Sequence, residues 1–180
     1  MTIRPAQPGD SAAMAGIYGH YVQAGWISFE LDSPTPEEMA KRMRAAGALY
    51  PWLVDEDGGA VTGFAYAGAF KTRAAYRFTV ETTVYVDRHA HGRGIGKRLY
   101  ATLLATLEEQ GFTSAVASIA LPNAASIALH ASLGFHEVGV HRAVGYKHDN
   151  WCDVAQWQRP LAVPAVPPRE PLSWLRPSHA

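Results

Sequence analysis

Val84-Tyr85-Val86-Asp87-Arg88-His89-Ala90-His91-Gly92-Arg93-Gly94-Ile95-Gly96-Lys97-Arg98 is the stretch from which this chain is read. A run of β-formers enters a glycine-rich turn and leaves into a helix. Gly92, Gly94 and Gly96 let the backbone turn tightly and aim N–H groups outward. Those donors fall at the positive end of a helix, where phosphate binds well. Lys97 and Arg98 stand in the first helical turn. Their sign is wrong for the dipole, a cost of roughly a few tenths of a kcal/mol that an anionic ligand would offset. The stretch is not a P-loop, because His91 replaces the required glycine and Arg98 the required Ser or Thr. Nor is it the dinucleotide fingerprint, since the third glycine comes too early. On this stretch alone, a ligand-free glycine turn stays open as the alternative.

Outward from the turn, strand-like and helix-like segments alternate. Gly94 to Gln110 is the strongest helix, with Leu99, Leu103, Leu104 and Leu107 along one face and Gly111 as its stop. Upstream, Thr2 to Arg4 reads as a strand. Ser11 to Ala24 reads as a helix, striped by Met14, Ile17, Tyr18, Tyr21 and Val22. Thr35-Pro36-Glu37-Glu38 looks like a capping box opening a second helix to Ala46. Trp52–Asp55 and Val61–Phe70 read as a hairpin around a Glu56–Gly59 turn, and Arg77–Val86 as a long strand. Downstream come a strand at Ala115–Leu121, a helix at Asn123–Leu133, and antiparallel strands at His136–Lys147 and Cys152–Leu161. The expected fold class is α+β or mixed α/β, with about seven strands and four helices over residues 1–161. Residues 162–180 hold five prolines and read as a tail outside the core, with Trp174 and Leu175 available to dock on a surface or a second subunit.

Composition narrows the function classes. The 180 residues suit one domain, and 48% hydrophobic with 18% charged residues is a globular balance. Lys plus Arg and Asp plus Glu both total 16, so no basic excess points to nucleic acid as a partner. No apolar run is long enough for a membrane span, and Met1–Pro5 lacks a secretory apolar core. One cysteine, Cys152, excludes an intrachain disulfide. The expected setting is cytoplasmic.

The residues of the turn resemble the GCN5-related N-acetyltransferases. That family's signature, Gln/Arg-x-x-Gly-x-Gly/Ala after a strand, reads here His91-Gly92-Arg93-Gly94-Ile95-Gly96, with His91 in the Gln/Arg place. Residues 2–161 are similar to the phosphinothricin and methionine sulfoximine acetyltransferase subgroup. The marks are Lys71-Thr72-Arg73, Tyr76, Thr79 to Val86, Leu121-Pro122-Asn123, Leu129-His130, Leu133-Gly134-Phe135, Val144 to His148 and Trp151 to Val154. The resemblance implies a mixed, mostly antiparallel sheet whose two central strands, here Arg77–Val86 and Ala115–Leu121, splay to admit acetyl-CoA. It places the cofactor contacts on Val84, Tyr85, Val86, Gly92, Arg93, Gly94, Ile95, Gly96, Lys97 and Asn123. Dimerisation is common in the subgroup, and the aromatic carboxy-terminal strands with Trp151 and Trp157 suit a homodimer.

Acyl transfer to an amine needs the amine neutral, so a base helps. Glu81 interrupts the β-formers Phe78 to Val84 in a strand expected to be central. A buried carboxylate there is held towards its neutral form, which suits proton removal; an edge-strand or ion-paired glutamate is the plainer reading. His130 falls where the family commonly has a tyrosine thought to protonate the departing thiolate. On that resemblance His130 does the same or orients a water, and a packed helix histidine with one hydrogen bond is the alternative. The resemblance puts Lys71, Thr72 and Arg73 at the acceptor, with Arg73 forking onto a carboxylate or tetrahedral head group. Glu81, Thr82 and Thr83 line the same pocket, and solvated loop charges are the alternative for Lys71 and Arg73. Phe29 and Tyr76 read as pocket walls or, by default, core aromatics. His89 and His91 are spaced as a possible metal pair without a carboxylate cluster, so no metal is expected. The function implied is acetyl transfer to the α-amine of a small amino-acid-like molecule, directly within a ternary complex. A protein or peptide N-terminal acetyltransferase and a non-catalytic acyl-CoA-binding module are the rivals.

Overall fold

The computed structural model describes residues 1–175. In chain order the elements are β1 (Thr2–Pro5), α1 (Ser11–Gln23), α2 (Pro36–Ala46), β2 (Trp52–Asp57), β3 (Ala60–Ala69), β4 (Thr79–Val86), α3 (Ile95–Gln110), β5 (Ser114–Ala120), α4 (Ala124–Ser132), β6 (His136–Lys147) and β7 (Asn150–Pro160). Short 3₁₀ turns at Pro8–Asp10, Ala74–Tyr76 and Arg88–Ala90 join some of them. The expected order of strands and helices is the order found. The largest boundary shifts are of two residues: β2 runs on to Asp57, so its turn is Gly58-Gly59, β4 starts at Thr79 rather than Arg77, and β7 starts at Asn150 rather than Cys152. Of the expected capping box, the threonine half forms, with Thr35 Oγ1 accepting from Glu38 N at 3.2 Å.

The strands form one sheet ordered β1-β2-β3-β4-β5-β7-β6. Every neighbouring pair is antiparallel except β4 and β5, which run parallel. Their ladder holds only at Thr79↔Ser114, Val80↔Ala115 and Glu81↔Val116. Beyond it the two strands part, as the splay expectation requires.

Helix α3 packs on one face of the sheet. Leu99, Leu103, Leu104 and Leu107 join Val80, Ala115, Ala117 and Phe135 in a buried cluster. Helices α1 and α2 cover the other face, where Met14, Tyr18, Val22 and Met39 meet Trp52, Val54 and Phe64. The tail is a strap rather than a free extension. Leu172 N donates to Gln110 O at 2.8 Å and Trp174 N to Ala48 O at 3.1 Å. Trp174 packs on the α3 cluster, and Glu170 takes a bidentate grip from Arg77.

Candidate active site

The parting of β4 and β5 opens a cleft of about 580 Å³. Its walls bring together Glu81, Thr82, Thr83, Val84, Tyr85 and Val86 from β4, and Gly92, Gly94, Ile95, Gly96 and Lys97 from the turn and α3. Asn123, Ser126 and His130 from the α4 region and Ala117 to Ala120 from β5 close it. Four expected residues are not in these walls: Arg93, Lys71, Thr72 and Arg73.

The turn is built as its glycines require. Gly92 (φ 77°) and Gly94 (φ 74°) are left-handed, a region that costs other residues strain. A Cβ on Gly96 would sit 3.4 Å from Val86 and 3.7 Å from Leu129, so the first turn of α3 lies tight against β4 and α4. The cations here are sorted by carboxylates. Arg93 reaches Asp57 at 2.6 Å. Arg98 reaches the buried Asp55 at 3.1 Å, where Thr62 also donates at 2.5 Å. A protein carboxylate thus already offsets Arg98, which leaves Lys97 as the cation facing the cleft.

Backbone alternation aims the rest of β4. Asp87 N–H donates back to Thr62 O on β3. Neighbouring Val86 therefore turns its own N–H and C=O the other way, into the splay, and Val84 does the same. Val86 C=O is already taken, by Tyr21 Oη at 2.6 Å. His91 Nε2 lies 2.8 Å from the same hydroxyl, so the residue in the Gln/Arg place braces this corner. His89 Nε2 accepts from Arg88 instead, at 2.9 Å, so the two imidazoles serve different partners. Asn123 caps α4 by accepting from Ser126 N at 3.1 Å, and its amide N–H groups stay available.

Glu81 is in a central strand, half-buried rather than buried. Ser118 Oγ on β5 donates to its Oε1 at 2.8 Å, and Gln156 Nε2 on β7 supports Ser118 at 3.1 Å. Ser118, Gln156, Tyr21 and Tyr100 are site residues that the sequence reading missed. The one available signal was a lone hydroxyl in the apolar run Ala115–Ile119.

His130 is buried, and both ring nitrogens are engaged. Nδ1 lies 2.7 Å from Ser126 O, which only accepts, so Nδ1 carries a proton. In the neutral ring Nε2 accepts from Tyr100 Oη at 3.1 Å, and Tyr100 accepts from Thr82 Oγ1 at 2.7 Å. A second proton on the ring reverses the chain, so that Thr82 ends by donating to Val116 O at 3.2 Å. Burial pushes the imidazole below its ordinary 6.5, which favours the neutral arrangement.

The acceptor-side expectations are placed less tightly. Lys71 lies over the Phe70 ring at 5.2 Å. Among the described residues Thr72 and Arg73 have no side-chain hydrogen-bond partner; both are exposed just beyond β3. Phe29 and Tyr76 are 40% and 41% exposed, which rules out the core reading for both. Phe29 packs against Gly145, where any Cβ would run into its ring. Lys147 Nζ, buried, donates to Val22 O at 2.6 Å and Ser28 O at 2.7 Å, stitching the α1–α2 connection to the last hairpin. Among the described residues no group of three or more His, Cys, Asp or Glu is placed to hold a metal, and no helix is long and apolar enough to cross a membrane.

Residues 3–155 match the family described as acetyltransferase (GNAT) domain. The chain is 48% identical over 166 residues to a phosphinothricin N-acetyltransferase of Streptomyces viridochromogenes, covering 92% of this chain and 90% of that one. It is 37% identical over 170 residues to an L-methionine sulfoximine/L-methionine sulfone acetyltransferase of Salmonella typhimurium, covering 93% and 98%. Among solved structures, a GNAT superfamily phosphinothricin acetyltransferase from Sinorhizobium meliloti in complex with acetyl-CoA superposes with a TM-score of 0.89 at 38% identity, covering 97% and 98%.

Proposed function

This chain is an N-acetyltransferase of the GNAT family, and from that premise we propose that it moves the acetyl group of acetyl-CoA onto the α-amine of a small amino-acid-like acceptor. Phosphinothricin, methionine sulfoximine and methionine sulfone are the leading candidates. The observation that carries this reading is the parting of β4 from β5 directly after the Glu81↔Val116 pair. It leaves a strand-wide gap with phosphate donors at one end and a carboxylate at the other.

In this reading the backbone N–H groups of residues 92–97 and the Lys97 ammonium hold the diphosphate. The Val84 backbone and the Val86 N–H line the pantetheine arm, and the Asn123 amide adds a donor. Glu81, oriented by Ser118, takes a proton from the acceptor ammonium directly or through a water. Transfer is direct, since Cys152 is buried in β7 and outside the cleft walls. His130 serves the departing thiolate by fixing Tyr100 and Thr82. Arg73, exposed in the segment after β3, receives the acceptor's carboxylate.

A homodimer and a cytoplasmic setting complete the proposal. Val144, Tyr146 and Trp151 are exposed on the last hairpin, and β6 is a sheet edge, which supports pairing there. A sedimentation mass of one chain would remove the dimer.

Release of the CoA thiol with free amino-acid analogues, set against peptides, tests the activity. Turnover of the analogues is expected, and turnover of peptides alone would replace this reading with N-terminal protein acetylation. Arg73→Ala is expected to raise KM for carboxylate-bearing acceptors with little change in kcat. A flat KM in the folded variant would take Arg73 out of acceptor binding.

A further inference from the structure

Residues 161–175 lie beyond the family match, which ends at residue 155, and no described residue among them is a wall of the cleft. They are nonetheless fastened at both ends. Leu161 N donates to Thr113 O at 2.9 Å. Further on, Leu172 N donates to Gln110 O, and Leu172 O takes the Gln110 amide at 2.6 Å. Between these anchors Glu170 meets Arg77. Arg77 Nε donates to both carboxylate oxygens at 2.9 Å, and Nη2 donates to Oε1 at 2.7 Å. The remaining nitrogen, Nη1, donates to Ala74 O at 3.1 Å. The same carbonyl takes the backbone N–H of Arg77 at 3.2 Å. The guanidinium also lies over the Phe78 ring, 4.3 Å from its centroid.

Ala74 opens the 3₁₀ turn Ala74–Tyr76, and its neighbour is Arg73. The turn closes with Tyr76 N donating to Arg73 O at 3.0 Å, and the Tyr76 ring meets Phe70 edge to face at 5.7 Å. The Arg73 side chain has no hydrogen-bond partner among the described residues, so the backbone beneath it sets its direction. That backbone is what Arg77 grips. Exposed ion pairs usually contribute little, because two long side chains must be ordered together. Here both partners are mounted beforehand. Arg77 rests on a ring and a carbonyl, and Glu170 sits between two docked stretches of chain. The Arg77 guanidinium holds the Glu170 carboxyl below its ordinary range, so the pair stays ionised at neutral pH. The two-pronged contact also fixes the plane of the guanidinium. Through it the tail, anchored by Trp174 on the α3 cluster, reaches the segment that carries Arg73.

We propose that Glu170 is a positioning residue of the acceptor site: by clasping Arg77 it holds the turn after Arg73, so that Arg73 is aimed at the acceptor's carboxylate. The proposal rests on the reading that Arg73 receives that carboxylate. Without the clasp Arg73 is correctly aimed in only part of the population, which weakens acceptor binding and leaves the chemical step alone. Two variants break the clasp. Glu170→Gln keeps the shape of the tail, and Arg77→Met keeps a chain over the Phe78 ring. With phosphinothricin and methionine sulfone as acceptors, each is expected to raise the acceptor KM about two- to fivefold, the scale of a well-oriented exposed pair. The kcat and the KM for acetyl-CoA are expected to stay at wild-type values. In an Arg73→Ala background, with no guanidinium to aim, the same changes are expected to add nothing. An equal rise in both backgrounds overturns the proposal, because a merely structural clasp would not depend on residue 73. An unchanged KM in both single variants, beside a raised KM in Arg73→Ala, overturns it while leaving Arg73 in acceptor binding. A flat KM in Arg73→Ala, or a wild type that turns over neither acceptor, overturns the acceptor reading itself and the positioning role with it.

Discussion

Under α3 the sheet is packed solid. Leu99, Tyr100, Leu103, Leu104 and Leu107 are fully buried, and the polar groups there are paired in place: the Thr82–Tyr100–His130 chain, the Asp55–Arg98 pair, and Gln110 donating to Leu49 O and Leu172 O. Under α1 and α2 the same sheet carries stacked rings, the linked hydroxyls of Tyr18 and Ser28, the Glu30–Arg42 pair and a hollow. Burial pushes the Tyr18 hydroxyl up to about 12, so it stays a neutral donor in that cluster. The difference follows the work proposed for each face. One molecule, the acetyl donor, is common to every turnover, and a rigid helix suffices to present donors to it. In that proposal the acceptor meets Glu81 from the other side, and a loosely filled aromatic face leaves room for it.

Glu81→Gln should have the largest effect, because it removes the proposed base, which β4 presents on the α1/α2 side. A loss of about 10²–10⁴-fold in kcat is expected, with acetyl-CoA binding retained by titration calorimetry. Wild-type turnover would sever the acceptor face from the chemistry. Next comes Leu103→Ala, expected to cost about 2–5 kcal/mol in urea unfolding because a solid core leaves a cavity. A cost no larger than that of a substitution beside the hollow would erase the contrast between the faces. The smallest effect concerns pH. The folded His130 imidazole titrates below its ordinary 6.5, so the unfolded chain binds the proton more readily. Its contribution to stability is complete above about pH 6.5 and drains away as pH falls through the folded value. His130→Gln should flatten that acid limb of the urea midpoint, and an unaltered slope would show that another group governs it.

What the sequence made legible was local. The spacing of Gly92, Gly94 and Gly96, the leucine stripe of α3 and the β-formers around Glu81 each act within a few residues, and strand, turn and helix stand where those patterns put them. The missed features join distant positions. Ser118 meets Glu81 across 37 residues and Arg98 meets Asp55 across 43. Arg98 was therefore read as a cation awaiting an anion, when a buried aspartate had already met it. The tail shows the same limit from the other side: its prolines mark a segment without helix or strand and its Trp174 offers an anchor, but only the folded chain says where that anchor lands, on the α3 cluster. The hollow left no sequence signal, since alanines and a glycine in α2 and β3 read equally well as tight packing.

The Lys147 ammonium sets a temporal order on the making of this enzyme. It spans 125 residues to Val22 and 119 to Ser28. While the chain grows from its amino end, α1 and the segment after it must wait for the last hairpin before they can be fastened. β5 waits likewise, lacking β7 as its neighbour on the outer side. A polypeptide released early from the ribosome would carry a complete glycine turn and an α1–α2 side still unfastened.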